Sequence, residues 1–236
     1  MNVDAARLTT IVFDVDGTLY RQSPVRRAML FKLLGAAFAS PGAGIAAFRA
    51  LRAYRHAQEM LRGVEVDGAL ADAQLQLACR QSGQTADVVA KIVTRWMEQE
   101  PLGLLERFVE PALLTFLGAA RKRGLRLGIL SDYPATDKLA AMRLTEFFDV
   151  VVTAQDEQVN RFKPHPGGLV EALRRLDARP EEALYVGDRH EVDGAVASAA
   201  GVPCVIVGSS RPRAESARHS ATPISDYSEL HAMLFS

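Results

Sequence analysis

Short runs of apolar and β-branched residues recur along the chain: "TIVFD" (10–14), "RLGILS" (126–131), "FDVVVT" (148–153), "ALYVGD" (183–188) and "VPCVIV" (202–207). Runs of this length, bounded by polar residues, predict strands buried on both faces. Between the later runs, apolar positions recur at helical spacing over 111–123, 135–143, 166–177 and 191–200. Strands alternating with helices predict an α/β fold, a Rossmann-like parallel sheet core with helices on both faces. Several of the runs end in polar residues, Asp14, Ser131 and Asp188 among them. Ligands of open α/β sheets bind beyond the carboxyl ends of the strands. These three side chains, far apart in sequence, are therefore expected at one edge.

The interval from Tyr20 to Leu105 breaks the alternation and reads as four helices. The first, "SPVRRAMLFKLLGAAFA", opens with Ser23 as N-cap and Pro24 at the first helical position. The second, "GIAAFRALRAYRHAQEMLRG", closes at Gly63. The third ends at Gly83, and the fourth runs from Thr85 as N-cap to the residue before Pro101. The expected organisation is a core of residues 1–20 and 106–236, with an inserted all-helical domain at 21–105. Residues 20–24 and about 100–110 are the two linkers, and hence the hinge. Trp96 and the phenylalanines of the insertion read as core. The stretch 209–223 reads as an exposed loop before a last helix, "YSELHAMLF".

Composition changes this picture little. Of 236 residues, 48% are apolar and 24% charged, an ordinary globular balance. Lys+Arg and Asp+Glu tie at 28 each, so net charge offers no argument for a nucleic-acid partner. Cys79 and Cys204 stand far apart without metal spacing, which reads as two thiols in a reducing, cytoplasmic setting. "MNVDAARLTT" lacks the layout of a signal peptide, and no run approaches the roughly 20 apolar residues of a membrane span. One local asymmetry matters. Residues 21–58 carry Arg21, Arg26, Arg27, Lys32, Arg49, Arg52 and Arg55 but no acid. Such a stretch is commonly a helical hairpin with a solvated basic face. Association with a membrane surface is the rarer alternative. One of Arg21, Arg26 and Arg27 is a candidate contact for an anionic substrate.

Four segments carry candidate chemistry: "DVDGT" (14–18), "ILSDY" (129–133), "RFKPHP" (161–166) and "VGDRHEVDG" (186–194). In this order they resemble the haloacid dehalogenase superfamily, specifically its phosphatase branch with a helical cap after the first core strand. The resemblance spans about 10–207. Residues i and i+2 of a strand face the same way, so Asp14 and Asp16 start as like-charged neighbours that need a cation or a shared proton. The resemblance implies that Asp14 is the nucleophile and forms an aspartyl-phosphate. Asp16 is then the general acid and base, with a carboxyl raised by its charged neighbour. Gly17 permits the turn and Thr18 ties it. Ser131 donates to a phosphoryl oxygen, and Lys163 neutralises the phosphate.

Asp14, Asp188 and the backbone carbonyl of Asp16 suit Mg²⁺, while Asp193 either orients a metal water or holds Lys163. A phosphate dianion with Asp14 and Asp188 against Mg²⁺ and Lys163 leaves one net negative charge; without the cation it leaves three, which a dry cleft does not tolerate. The pattern departs from the commonest capped relatives at "YRQSP" after "DGTL" and at Asp132, where Asn is frequent. That change puts another carboxyl near the bound phosphate. An aspartate at position 16 favours phosphomonoester hydrolysis over carbon–halogen cleavage. The expected activity is Mg²⁺-dependent hydrolysis of a small soluble phosphomonoester. The alternatives are a phosphomutase or phosphotransferase acting on a sugar phosphate, and a non-catalytic binding or regulatory protein that retains the fold.

Overall fold

The computed structural model describes residues 6–208 and 221–235. Among these residues, six strands form one parallel sheet in the order β3-β2-β1-β4-β5-β6. They are β1 (Thr10–Phe13), β2 (Arg126–Ser131), β3 (Val150–Thr153), β4 (Ala183–Gly187), β5 (Cys204–Val207) and β6 (Ala221–Ile224). The side-chain period of two splits the sheet cleanly. Ile11, Phe13, Leu127, Ile129, Leu184 and Val186 face one hydrophobic cluster. Val12, Leu130, Tyr185 and Ile206 face the other. Helices α6 (Leu113–Lys122), α7 (Thr136–Ala141) and α10 (Tyr227–Phe235) cover the first face, and α8 (Gly167–Arg175) and α9 (Ala195–Ala199) the second. Phe13, Phe116 and Tyr227 pack as an aromatic group beneath β1, with ring centroids 5.6–6.5 Å apart.

Strand β6 lies within the stretch read as a loop. Its sequence "ATPI" has a proline, which cannot donate to a ladder and is tolerated because this strand sits at the edge. The rest of that loop expectation, 209–220, lies outside the described residues.

Four helices lie between β1 and the core's next helix: α1 (Gln22–Ala39), α2 (Pro41–Leu61), α3 (Leu70–Ser82) and α4 (Ala86–Val93), the last widening into a π-helical turn over Thr94–Gln99. Helix α1 starts before the expected Ser23 cap, with Arg21 at the N-cap position and no side-chain cap. Pro24 still falls in the first turn, where an N–H has no intrahelical partner. Pro41 opens α2, and Gly63 and Gly83 take the left-handed conformation past the ends of α2 and α3.

The expected linker at 100–110 contains a short helix, α5 (Leu102–Leu105), and a 3₁₀ turn. Beyond them the two crossings of the chain pair with each other, through Arg21 N–H to Phe108 O (2.9 Å) and Glu110 N–H to Leu19 O (3.0 Å). Helices α2, α3 and α4 pack on a cluster made largely of alanines, Ala50, Ala53, Ala57 and Ala78, with Tyr54, Val89 and Val93, while the one buried residue of α1, Val25, joins the cluster of the sheet. Contrary to the sequence reading, Phe31, Phe38 and Phe48 are exposed: α1 contributes no side chain to that cluster, and Phe48 lines the cavity instead.

Candidate active site

Asp14 continues β1 beyond its last ladder residue, its N–H bonded to Val186 O at 2.9 Å. Its carboxylate is buried and fully engaged: Oδ1 accepts from Lys163 Nζ at 2.6 Å and Oδ2 from Thr18 Oγ1 at 3.0 Å. Lys163 comes from the loop before α8 and also donates to Asp193 Oδ1 at 2.7 Å and Tyr185 Oη at 3.3 Å. Of the two roles left open for Asp193, holding Lys163 is the one its contacts display. Its second oxygen accepts the N–H groups of Asp188 (3.2 Å) and Arg189 (3.0 Å), fixing the turn after β4. Gly187 makes room for it, since a Cβ there would lie 2.4 Å from the Asp193 Cβ. Gly17, at φ +105°, does the same on the other side, where a Cβ would fall 2.2 Å from Asp188 Oδ2.

Asp14, Asp188 and Asp193 bring carboxylate oxygens within 4.8 Å of one another. Lys163 is the one cation bonded among them, and Asp188 has no hydrogen bond or ion pair to its carboxylate among the described residues. The consequence is electrostatic. Burial first, with Asp193 adding repulsion against the pull of Lys163, pushes the Asp14 carboxyl up to about 7. Burial and the charges of Asp14 and Asp193 push Asp188 up to about 8. Asp193 moves the other way: burial is outweighed by Lys163 and its hydrogen bonds. Two oxygen donors short of positive charge are the donor set a hard divalent cation takes.

Asp16 departs from expectation. Its carboxylate turns to Lys138 of α7, at 2.7 and 2.6 Å to its two oxygens, and also accepts the Tyr20 hydroxyl. Burial raises its carboxyl, but Lys138 and Tyr20 outweigh that, and the net shift is downward rather than upward. The raised carboxyls of the site are Asp14 and Asp188. Sequence alone does not single out Lys138, because a lysine in the first turns of a helix has many uses and "ATDKLAAM" carries no distinguishing spacing.

Asp132, expected near the bound phosphate, lines the cavity with its carboxylate engaged by neighbours. Oδ2 accepts from Gln58 Nε2 and pairs with Arg62 Nη1, both at 2.9 Å, and Oδ1 accepts the Lys163 N–H at 3.0 Å. Arg62 donates in turn to the Lys163 carbonyl. Arg62 directly, and Asp132 held by Gln58 and Arg62, thus fix the backbone of Lys163 from both sides. Asp14, Asp16, Asp132, Lys163, Asp188 and Asp193 share the wall of one cavity, about 620 Å³, between the strand ends and the helices. Gly17, Thr18 and Ser131 are not among the residues lining it. Ser131 is buried, and its Oγ accepts the Tyr133 N–H at 3.3 Å.

The sequence pattern of the haloacid dehalogenase-like hydrolases matches residues 8–201. The chain belongs to that family. Over 73 residues it is 48% identical to pyrophosphatase PpaX of Bacillus thuringiensis (strain Al Hakam), a match covering 30% of this chain and 33% of that protein. The chain thus spans about a third of the length of that curated relative. Similar solved structures include a HAD phosphatase from Thermococcus onnurineus (24% identity, TM-score 0.60, 97% of this chain and 98% of that one). A 2-haloacid dehalogenase from Pseudomonas syringae pv. Tomato DC3000 aligns at 20% identity and TM-score 0.66 over 96% and 98% of the two chains. A β-phosphoglucomutase from Clostridium difficile aligns at 13% identity and TM-score 0.59 over 96% and 97%. At these identities the likeness is one of fold, shared by proteins with three different names. Among the described residues, no helix of this haloacid dehalogenase-like hydrolase is long and apolar enough to cross a membrane.

Proposed function

We propose that the chain is a Mg²⁺-dependent phosphomonoester hydrolase acting on a small molecule through an aspartyl-phosphate on Asp14. The observation that carries this reading is the Asp14 carboxylate, held by Lys163 and Thr18 in a cavity wall beside the Asp188 carboxylate, which is unpaired among the described residues. An Asp14 oxygen attacks phosphorus, the ester P–O bond breaks, and the leaving alkoxide takes a proton from Asp16. Water then attacks phosphorus while Asp16 accepts its proton, and the bond to Asp14 breaks to release phosphate. Asp16, ionised beside Lys138, starts in the form that accepts a proton. A substrate dianion arriving next to it raises its affinity for the proton the first step requires. Lys163 offsets charge on the phosphoryl oxygens, and Asp193 keeps its ammonium in place. Ser131 and Thr18 brace the turns behind the wall.

Asp14 and Asp188, with the Asp16 carbonyl, are the residues that would hold Mg²⁺, which when bound supplies positive charge against the phosphoryl oxygens. In this reading the helices of 21–105 are a cap domain over a core of 1–20 and 106–236, a cytoplasmic arrangement with no nucleic-acid partner. The test is phosphate release from p-nitrophenyl phosphate and a panel of sugar, nucleotide and organic-acid phosphates. Activity is expected with Mg²⁺, lost with EDTA and restored by the metal. Asp14→Asn is expected to abolish turnover with an unchanged circular dichroism spectrum, because an amide is a poor nucleophile. A protein inert toward every ester would leave the binding or regulatory alternative. Turnover that requires a sugar bisphosphate would favour the mutase.

A further inference from the structure

The cavity is graded along its length. Helices α1 and α2 fold back on each other, with Gly44 so close to Ala37 that a Cβ on the glycine would lie 2.2 Å from the alanine's. Each presents one stripe to the cavity. Near the strand ends the stripes are polar, Gln22 and Arg26 on α1 facing Gln58 and Arg62 on α2. Farther out they are mostly apolar, with Leu30 and Leu33 opposite Phe48 and Leu51, and Arg52 and Glu98 are the charged side chains that line this stretch. At the rise of an α-helix, the apolar end lies roughly 15–20 Å from the site end. Trp96, in the π-helical turn after α4, and Met97 complete that wall; such turns are frequent at functional sites. A volume of about 620 Å³ falls within the range of about 300–1,000 Å³ that encloses a drug-sized ligand, and far exceeds what a phosphate alone fills.

Resting on the phosphomonoester reading, we infer that the substrate is an anionic amphiphile, a phosphomonoester whose ester oxygen carries an extended apolar body lying along Leu33, Phe48 and Trp96. Arg52 and Arg55, which line the cavity midway and have no acidic partner among the described residues, favour entry of the charged head. The test is kcat/KM with Mg²⁺ for ethyl, butyl, hexyl and octyl phosphate. Each methylene that becomes buried is expected to raise it about threefold, giving about a hundredfold or more across the series. Leu33→Asp combined with Phe48→Asp should reduce the octyl-to-ethyl ratio to below about ten.

Trp96 is the chain's single tryptophan, so its emission reports the cavity without turnover. It is expected to shift to the blue with octylphosphonate and not with ethylphosphonate. A flat kcat/KM series overturns the amphiphile and leaves the phosphatase standing. Absence of hydrolysis for every ester overturns the phosphatase, and an equal Trp96 response to both phosphonates overturns the amphiphile independently.

A different observation concerns the outer face of the same hairpin. Helix α1 has 18 residues but buries one of them, Val25. Phe31 (72% exposed), Leu34 and Phe38 (91%) lie on one face, turned away from the cavity stripe. A helix apolar on more than one side normally has a partner for each. Arg27 lies one turn before Phe31 on this face, and no acid falls within 21–58 to offset it, so the charge beside the patch complements an anionic surface; Lys32 is paired with Glu100, and Arg26, Arg52 and Arg55 belong to the cavity. We propose that it docks on an anionic lipid bilayer, with the aromatic side chains in the interface. Co-sedimentation with phosphatidylglycerol-containing vesicles is expected at low salt, to fall about tenfold at 0.5 M NaCl, and to be lost in Phe31→Asp/Phe38→Asp with helical content intact. Failure to sediment overturns the proposal, as does a solution dimer that Phe38→Asp dissociates.

Discussion

The strand edge and the helices above it are held together differently. At the strand edge, charge is immobilised by charge: Lys163 sits between Asp14 and Asp193, and each of these carboxylates is fixed again by Thr18 or by backbone N–H groups. The helical region has a core of alanines, and it meets the sheet through a small apolar contact of Leu70 with Ala154 and Phe162 and through a set of hydrogen bonds. Gln74 donates to Tyr133 Oη, Tyr133 to Gln58, and the Leu70 N–H to Asn160 (2.9, 2.9 and 2.7 Å). Polar joints of this kind exchange readily with water and permit relative motion. The difference separates two tasks. Bond making needs charges that do not reorganise, whereas admitting and releasing a substrate needs a wall that yields.

The strongest way to break this contrast is to remove the cation at its centre. Lys163→Met should lower kcat by about a thousandfold or more. It should also destabilise the protein by about 3–5 kcal/mol, on the order of 10 °C in Tm, because two buried carboxylates lose their partner. Arg52→Ala, a side chain of the helical wall without an ion pair, should change Tm by about 1 °C or less. Thermal unfolding of both variants beside the wild type checks the pair; equal shifts would mean the two regions are not held by different means.

A smaller effect is expected where the regions join. Arg62 ties α2 to Asp132 and to the carbonyl of Lys163, so Arg62→Ala leaves the lysine's backbone held from one side. The expected loss in kcat is about tenfold to a hundredfold from misplacement of the ammonium, with KM for a small ester nearly unchanged. Arg62→Lys restores the charge but not the two-way fork and should fall between. An Arg62→Ala enzyme with wild-type kcat would show that the helices do not position the lysine.

What the sequence made legible follows the same division. The strands and the acidic residues at their ends were readable because burial on both faces leaves a periodic imprint, and because Asp14, Lys163 and Asp188 stand in ordered motifs. Lys138, Arg62 and Gln58 were not readable. Each reaches its partner across a tertiary contact, 122, 70 and 74 positions away, and nothing in local spacing records such a meeting. The direction of the Asp16 shift failed for this reason: the neighbour at i−2 was visible and the lysine on α7 was not. The exposed phenylalanines failed differently, since apolar side chains predict burial without naming what buries them.

The subtlest expected effect sharpens the electrostatic half of the comparison. Asp14 and Asp188 are raised from 3.8 to about 7 and about 8 in the metal-free site. Between roughly pH 4 and pH 8, the folded protein therefore keeps protons that the unfolded chain has already released. Unfolding releases protons in this window, so metal-free stability must fall as pH rises through it. Asp16 and Asp193, shifted downward, have the opposite sign, but they act near and below pH 4. In EDTA, Tm at pH 8.5 should accordingly lie on the order of 5 °C below Tm at pH 5.5. Mg²⁺ competes with the same protons, so its stabilisation should be larger at pH 8.5 and should narrow the gap. Scanning calorimetry at the two pH values, with and without the metal, decides it. A Tm that rises with pH in EDTA, or a Mg²⁺ increment equal at both, would mean that the carboxylates at the strand ends are not waiting for positive charge.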